Sequence, residues 1–325
     1  MAIQNMQQNK ISFIVIGLNE DWRLSLCLKA VKELIAFNSL QNTEIIYVDS
    51  DSTDNSIEFA KEQNVDKIFK ISGNINAAIA RNVGVNSATG ELLFFIDGDI
   101  VIKPFDLNIL LNANIKLKYG YVVGFLDDVN YTSDWQFINQ APRNYKFETK
   151  DRQVTTAGSG IFIIEKETWL KFKGMDERLR RTQDRDLSLR MAKKGIVGIR
   201  KAEIFGLHHT IPYNNSKRMW KMLFDGSLSF KGVFIRKHLF NRSFLPNLLH
   251  EEWTISILIT TLILSIINPL TILLYTLVVL IKIRKQNIKR FFQVFAHRVL
   301  QDLIVVFSFL LFYPMRPKFI TTRIK

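Results

Sequence analysis

Residues 92–101 read LLFFIDGDIV: five apolar residues, then two carboxylates, Asp97 and Asp99, one residue apart. An unbroken apolar run of this length predicts a strand buried on both faces inside a parallel sheet. Its end then lies at the rim of that sheet. In open α/β sheets ligands occupy the crevice at the carboxyl ends of the strands, and a glycine such as Gly98 lets a ligand approach the backbone. Two carboxylates there suit a hard divalent cation carrying phosphate oxygens. Asp-Gly is equally a turn signal, and a solvated turn is the alternative these ten residues leave open.

Working outward, ISFIVIG (11–17), EIIYV (44–48) and residues 67–71 predict further strands, alternating with helices expected over 24–37, 56–62 and 76–87. This alternation over the first hundred residues predicts βαβ units and a parallel sheet. The first strand runs into Leu18, Asn19 and Glu20; the second ends in DSDSTD (49–54), where Ser52 or Asp54 is the expected N-cap of the next helix. No G-x-G-x-x-G fingerprint follows the first strand, which argues against nicotinamide hydride transfer, and no P-loop occurs. What remains is a nucleotide-type α/β sheet with acidic turns, which need a metal to hold phosphates.

The order LNE (18–20), VDSDSTDNS (48–56), ARNVG (80–84), FIDGD (95–99), GSGIFII (158–164), KGMDER (173–178) and QDRDLSLR (183–190) resembles family 2 glycosyltransferases of the GT-A fold over about residues 11–210. The resemblance implies a Rossmann-like, mostly parallel sheet with flanking helices. It also implies Mn²⁺ or Mg²⁺ as cofactor and a nucleotide-diphosphate sugar as donor. In that frame Asp99 is the metal ligand, Asp97 holds the ribose or the metal through water, Asp49 meets the nucleobase with Glu20 nearby, and Arg81 faces the nucleotide. Asp184 takes the place of the family's catalytic base, in Gln-Asp where Glu-Asp is usual; Asp186 reads better as a helix N-terminal carboxylate favoured by the dipole. Histidines following the strand-like 196–199 and 202–207 resemble a metal or diphosphate ligand, His208 before His209. Gly158, Ser159 and Gly160 are expected to let donor and acceptor come close to the backbone. With one base and a direct displacement, transfer inverts the anomeric centre.

The 325 residues leave room for one large domain or two smaller ones, and 47% are hydrophobic. Residues 1–200 carry 26 Lys and Arg against 25 Asp and Glu, while residues 201–325 carry 18 against 5, so +13 of the net +14 sits in the C-terminal 125 residues. The same region holds the longest apolar runs, which makes anionic lipid the expected partner and not nucleic acid. Residues 253–281 contain no charge and would form a helix on the order of 40 Å long. Asn268-Pro269 interrupts them, leaving either one kinked span or two half-length helices in a re-entrant hairpin. Lys231, Arg236, Lys237 and Arg242 precede the run and Lys282, Arg284, Lys285, Lys289 and Arg290 follow it, which wants both flanks on the cytosolic side. Residues 218–240 mix aromatics with Lys and Arg in the manner of a helix lying on headgroups. SKRMW (216–220) does not match the Q-x-x-R-W of the family's processive members. The single cysteine, Cys27, is expected to be a core side chain, and the polar start MAIQNMQQNK has no secretory apolar region.

The organisation expected is a tail (1–10), a GT-A domain (11–210), amphipathic interfacial helices (211–252) and transmembrane or re-entrant helices with a basic tail (253–325). The function expected is an inverting, single-addition glycosyltransferase at a membrane, with its catalytic domain facing the cytoplasm and a lipid-linked or otherwise membrane-associated acceptor for surface polysaccharide. Polyprenyl phosphate as the acceptor is the alternative within the class, and a non-catalytic membrane-bound scaffold the alternative outside it.

Overall fold

β4 (Leu92–Asp97) is buried through its first five residues, and Asp97 is where burial ends. The computed structural model describes residues 10–112, 116–142, 150–158, 160–212, 216–284 and 288–325; Ser159, Lys285, the side chain of Lys289 and the first nine residues lie outside this set. The chain divides into two units, one of residues 1–178, 183–212 and 316–325, the other of residues 179–182 and 213–315.

The first unit is built on a sheet. β1 (Ile11–Gly17) lies parallel between β4 and β2 (Thr43–Asp49), in a register that sets Ile16 beside Asp97 and Gly17 beside Asp49. Three strand ends therefore meet at one rim. β3 (Lys67–Gly73) continues the parallel set beyond β2. On the other side of β4 the sheet becomes mixed: β9 (Ile161–Glu165) runs antiparallel to β4, β6 (Val122–Tyr131) antiparallel to β9, β10 (Gly198–Thr210) parallel to β6, and β5 (Ile100–Ile102) antiparallel to β10. β7 (Phe137–Pro142) and β8 (Arg152–Val154) pair with β6 and β10. β11 (Phe319–Arg323) adds antiparallel to β3, so the end of the expected basic tail is a sheet strand.

Period-two alternation divides β1 between the two faces of the sheet. Phe13 and Val15 join Leu24, Leu28 and Val31 of α1 (Trp22–Phe37) in one core, with Cys27 fully buried among them. Ile14 and Ile16 join Ile79 and Val83 of α3 (Ala77–Ser87) in the other. α2 (Ser56–Glu62) starts after Asn55, which holds the N-cap position without a side-chain bond, so neither expected cap stands there; Asp54, one residue earlier, accepts from Ser56 N at 3.0 Å and Ser56 Oγ at 2.6 Å.

Away from the rim, Glu44 joins four segments. Its Oε1 accepts from Ser12 Oγ (2.7 Å), Thr89 N (2.6 Å) and Thr89 Oγ1 (2.7 Å), and its Oε2 from Lys67 Nζ (2.8 Å). Burial alone would raise this carboxyl; the Lys67 ammonium and the Ser12 and Thr89 donors overrule it and bring its pKa down to about 2.

The second unit is helical: α6 (Ser216–Phe224), α7 (Ser229–His238), α8 (Leu245–Glu251), α9 (Trp253–Leu264), a 3₁₀ turn (Pro269–Thr271), α10 (Ile272–Ile283) and α11 (Ile288–Leu311). The uncharged run thus forms two helices, broken where Pro269 removes a backbone donor. Phe230, Val233, Phe234 and Ile235 of α7 are buried, so these apolar side chains pack inside the unit instead of resting on headgroups. Among the described residues one helix, residues 290–311, is long and apolar enough to cross a membrane.

Candidate active site

The rim is assembled by short polar bonds between loops. Asn19, in the left-handed region at φ 55°, accepts from Thr53 N at 2.9 Å and donates its own N–H to Ser52 Oγ at 2.9 Å. Glu20 N and Asp21 N both donate to Ser56 Oγ at 3.1 Å. These bonds fix the turn after β1 against the turn after β2. Asp49 is fully buried and both its oxygens are engaged, Oδ2 by Tyr47 Oη at 2.9 Å and Oδ1 by Ser52 N at 2.8 Å. It braces the acidic turn.

Asp99 follows β4 across Gly98, whose N–H donates to Ile16 O at 2.8 Å. His208 lies within β10, not in a loop after it as the sequence suggested, and stands between two carboxylates: Nε2 is 3.2 Å from Asp99 Oδ2 and Nδ1 is 2.7 Å from Asp128 Oδ1. Two register shifts between Arg200 and Gly206 set the pairing that puts Asp128 of β6 beside His208. A carboxylate on Nδ1 orients the ring and would leave the Nε2 lone pair to a cation bound between His208 and Asp99.

Glu20 belongs to the same cluster. Burial first, then the charge of Asp99, push its carboxyl up to about 8 against the pull of Arg23, whose Nη2 is 2.9 Å away. Burial raises Asp97 too, Arg81 opposing and Asp99 adding to the shift. Crowded acids of this kind are relieved by a cation. Among the described residues no three His, Cys, Asp or Glu side chains converge to hold a metal by themselves, so the chain offers a pair, Asp99 Oδ2 and His208 Nε2. Two donors 3.2 Å apart match neighbouring positions around a cation with bonds of ~2.1–2.2 Å. The carboxylate suits Mn²⁺ or Mg²⁺, and a Mg²⁺-type site completes its shell with water and substrate phosphate. The residues fit such an ion bound together with a diphosphate.

Arg81 connects this cluster to the second half of the domain. From α3, Nη2 donates to Asp97 Oδ1 at 2.6 Å and Nη1 lies 3.8 Å from Met175 Sδ. Its neighbour Asn82 bonds Met175 N and O at 3.1 and 3.0 Å. Gly174 makes this closeness possible at φ +62°, since a Cβ there would sit 2.5 Å from Asn82 Oδ1. Asp184, half-buried at the start of α5 (Gln183–Ala192), has its pKa raised by burial, with the charge of Arg81 pulling it back. One guanidinium therefore acts on both Asp97 and Asp184. Asp186 is fully buried and paired with Arg190 at 2.8 Å, a structural role. Gly160 O accepts from Asp97 N at 2.9 Å, and a Cβ on Gly160 would lie 2.8 Å from Asp97 Oδ2.

Asp128 was missed in the sequence, although YVVGFLDD (121–128) repeats the signal of β4, an apolar run ending in two carboxylates. An aromatic group was missed as well: Tyr131 Oη is 2.8 Å from His209 Nδ1, and Trp22, Tyr131, Trp135 and His209 contact one another through their rings. Burial lowers the pKa of His209, which faces this group while His208 faces Asp99. No short motif joins residues so far apart in sequence. A cavity of about 600 Å³ lined by Gly90, Leu92 and Glu165 opens at the opposite ends of the strands and holds none of these residues.

The model of the Glycosyl transferase family 2 family matches residues 12–179. An uncharacterized glycosyltransferase of Rickettsia conorii is 29% identical over 164 residues, 50% of this chain and 24% of that protein. Another, of Nostoc sp., is 39% identical over 102 residues, 30% of each chain. The match thus spans less than a third of either relative. Among solved structures, S. aureus TarS 1–349 in complex with UDP-GlcNAc superposes with a TM-score of 0.50 at 14% identity, covering 75% of this chain and 78% of that one, a likeness of fold.

Proposed function

Since the chain belongs to glycosyl transferase family 2, we propose that it moves a single sugar, with inversion, from a nucleotide-diphosphate sugar to a membrane-associated acceptor of the lipid-linked saccharide kind. The observation that carries this reading is the series Asp128, His208, Asp99 standing at the rim beside the Arg81–Asp97 pair. Asp99 and His208 would hold Mn²⁺ or Mg²⁺, which when bound supplies Lewis-acid neutralisation of the leaving diphosphate. Asp128 keeps Nε2 of His208 available. Asp97 fixes the Arg81 fork, whose remaining N–H groups suit phosphate oxygens. Asn19, Glu20 and Asp49 shape the crevice at the ends of β1 and β2 where the nucleoside lies.

Asp184 takes the proton from the acceptor hydroxyl as that oxygen bonds the anomeric carbon and the bond to the diphosphate breaks. Burial keeps its carboxyl above the ordinary aspartate range, which makes it a stronger base than a solvated one, while Arg81 limits the shift. The uncharged Gln183 beside it adds no like charge. The basic, apolar C-terminal helices would keep the enzyme at the cytoplasmic membrane surface where a lipid-linked acceptor is found.

A thermal-shift panel with UDP, GDP, CDP and dTDP, each with Mn²⁺ and with EDTA, tests the site. Binding to the native state stabilises by about RT ln(1 + [L]/Kd), so one diphosphate should raise Tm only in the presence of metal. Asp99→Ala should abolish both that shift and turnover while keeping the parent Tm without ligand. Turnover by Asp99→Ala equal to the parent's would overturn the metal-site reading. A panel with no shift would favour the scaffold.

A further inference from the structure

We infer that α9, the 3₁₀ turn and α10 form a wedge that enters a single leaflet of a lipid bilayer and does not cross it. This deepens the membrane attachment in the proposed function and is independent of the transferase chemistry. Each arm has 12 residues, or ~18 Å of helix. That is close to one leaflet and well short of the ~30 Å hydrocarbon core. The tip is apolar and uncovered: Ile266 is 84% exposed, Ile267 85% and Leu270 69%.

The backbone donors of the turn are closed within the hairpin. Every backbone N–H from Ser265 to Thr271 has an acceptor inside the hairpin. Ser265 N donates to Thr261 O (2.9 Å), Ile266 N to Ile263 O (3.3 Å), Ile267 N to Leu264 O (3.0 Å) and Asn268 N to Leu264 O (2.9 Å). Leu270 N donates to Asn268 Oδ1 (3.0 Å) and Thr271 N to Asn268 O (3.1 Å). Pro269 has no N–H to satisfy. The hydroxyls follow, Ser265 Oγ donating to Leu262 O at 2.7 Å and Thr271 Oγ1 to Asn268 O at 2.8 Å. Donors closed in this way meet the demand of hydrocarbon, where each polar group left open costs several kcal/mol.

The other ends of the arms carry the groups that prefer headgroups. Lys282 Nζ lies 5.0 Å from the centroid of the Trp253 ring, and Lys231 pairs with Glu252 at 2.6 Å. Indole and ammonium at one level suit an interface with anionic lipid.

α11, the helix that length and hydropathy select, is bound along its course by polar helices. Met219 O of α6 lies 3.1 Å from His297 Nε2, and Arg236 of α7 donates to Phe309 O and Phe312 O at 2.6 and 2.7 Å. Gly232 of α7 approaches so closely that a Cβ would lie 2.4 Å from Val305 O. Crossing on α11 would carry Lys231, Arg236 and Lys237 into hydrocarbon with it, at the steep cost of central charges.

The full chain with Ile267→Cys provides the test, because the natural Cys27 is fully buried. Bound to phosphatidylcholine–phosphatidylglycerol vesicles, the introduced tip thiol should be shielded from a membrane-impermeant maleimide both outside and trapped in the lumen. A Phe240→Cys control, at a site 92% exposed, should react from outside. Ile266→Lys with Ile267→Lys should weaken vesicle binding at least ~10-fold and leave the Tm in detergent unchanged. Reaction of the tip thiol in the lumen would show a crossing, and its reaction from outside would show a tip in water; either overturns the inference. So would undiminished vesicle binding by the double lysine variant, or disulfide-linked dimers through the tip thiol as its only form of protection. The metal-dependent nucleotide shift, read in the same preparations, reports separately on the transferase site.

Discussion

Glu44→Gln is expected to remove about 3 kcal/mol from the sheet unit at neutral pH. The Glu44 side chain is 4% exposed, and its pKa is about 2 against an ordinary 4.5. That lowering corresponds to about 3 kcal/mol of preference for the charged form in the fold. Because the folded pKa lies below the unfolded one, this stability is fully present above about pH 4.5 and is lost as pH falls from there through about 2. Glutamine keeps the shape but turns a neutral amide toward the Lys67 ammonium. Thermal unfolding in mild detergent at pH 7, 5, 4 and 3 is the assay. At pH 7 the variant's Tm should lie about 6–12 °C below the parent's, and the gap should narrow steadily below pH 4.5 as the parent loses the same interaction. A gap of equal size at pH 3 and pH 7 would refute the electrostatic account and leave only a packing defect; no gap at pH 7 would refute the lock altogether.

Asp128→Asn should weaken Mn²⁺ binding ~10- to 100-fold by releasing the His208 ring, read as the metal concentration that gives half of the nucleotide-dependent Tm shift; unchanged metal dependence would detach Asp128 from the site. Asp184→Asn should cut turnover ~10²- to 10⁴-fold with donor binding intact, and the parent's rate should fall on the acid side at a pH above the ordinary aspartate range, as the raised Asp184 carboxyl takes a proton. Most of the activity surviving in that variant would point to an acceptor phosphate, which arrives without a proton to lose. Gly160→Ala should displace the Asp97 carboxylate, since its Cβ would sit 2.8 Å from Oδ2 and 2.3 Å from Ile100 Cδ1; parent-level turnover would show that Asp97 does not need its present position.

What could be read from the sequence was what repeats locally. The apolar runs of β1, β2 and β4 and the carboxylates at their ends follow from neighbouring residues, so the parallel half of the sheet and the placing of Asp97 and Asp99 were legible. The mixed half was not. β5 is three residues long and β10 acquires its register through two shifts, so no periodicity signals that His208 lies in a strand facing Asp128 across 80 positions. Glu44 looked like the first residue of an ordinary strand, because its partners Ser12, Lys67 and Thr89 come from three other segments. In the C-terminal region composition pointed to lipid but did not sort the apolar side chains of residues 218–240: Phe230 and Val233 are buried in protein while Phe224 and Phe240 are exposed, and hydrophobicity alone does not say which neighbour covers a side chain.

β11 changes how the catalytic part is to be isolated for biochemistry. The chain leaves the sheet unit after residue 212 and rejoins it at residue 316, so the helices are an insertion between two strands of one sheet and not an appendage. Stopping the chain at residue 212 removes the helices and also strips β3 of its outer neighbour, along with the bonds from Asn74 N to Lys318 O and from Ile324 N to Ile68 O. A bare parallel strand at the edge is a template for association between molecules. A soluble fragment therefore needs residues 316–325 restored, by a flexible link from residue 212 or as a synthetic peptide, and the dose of peptide needed to keep the fragment in solution would measure how strongly that last strand holds.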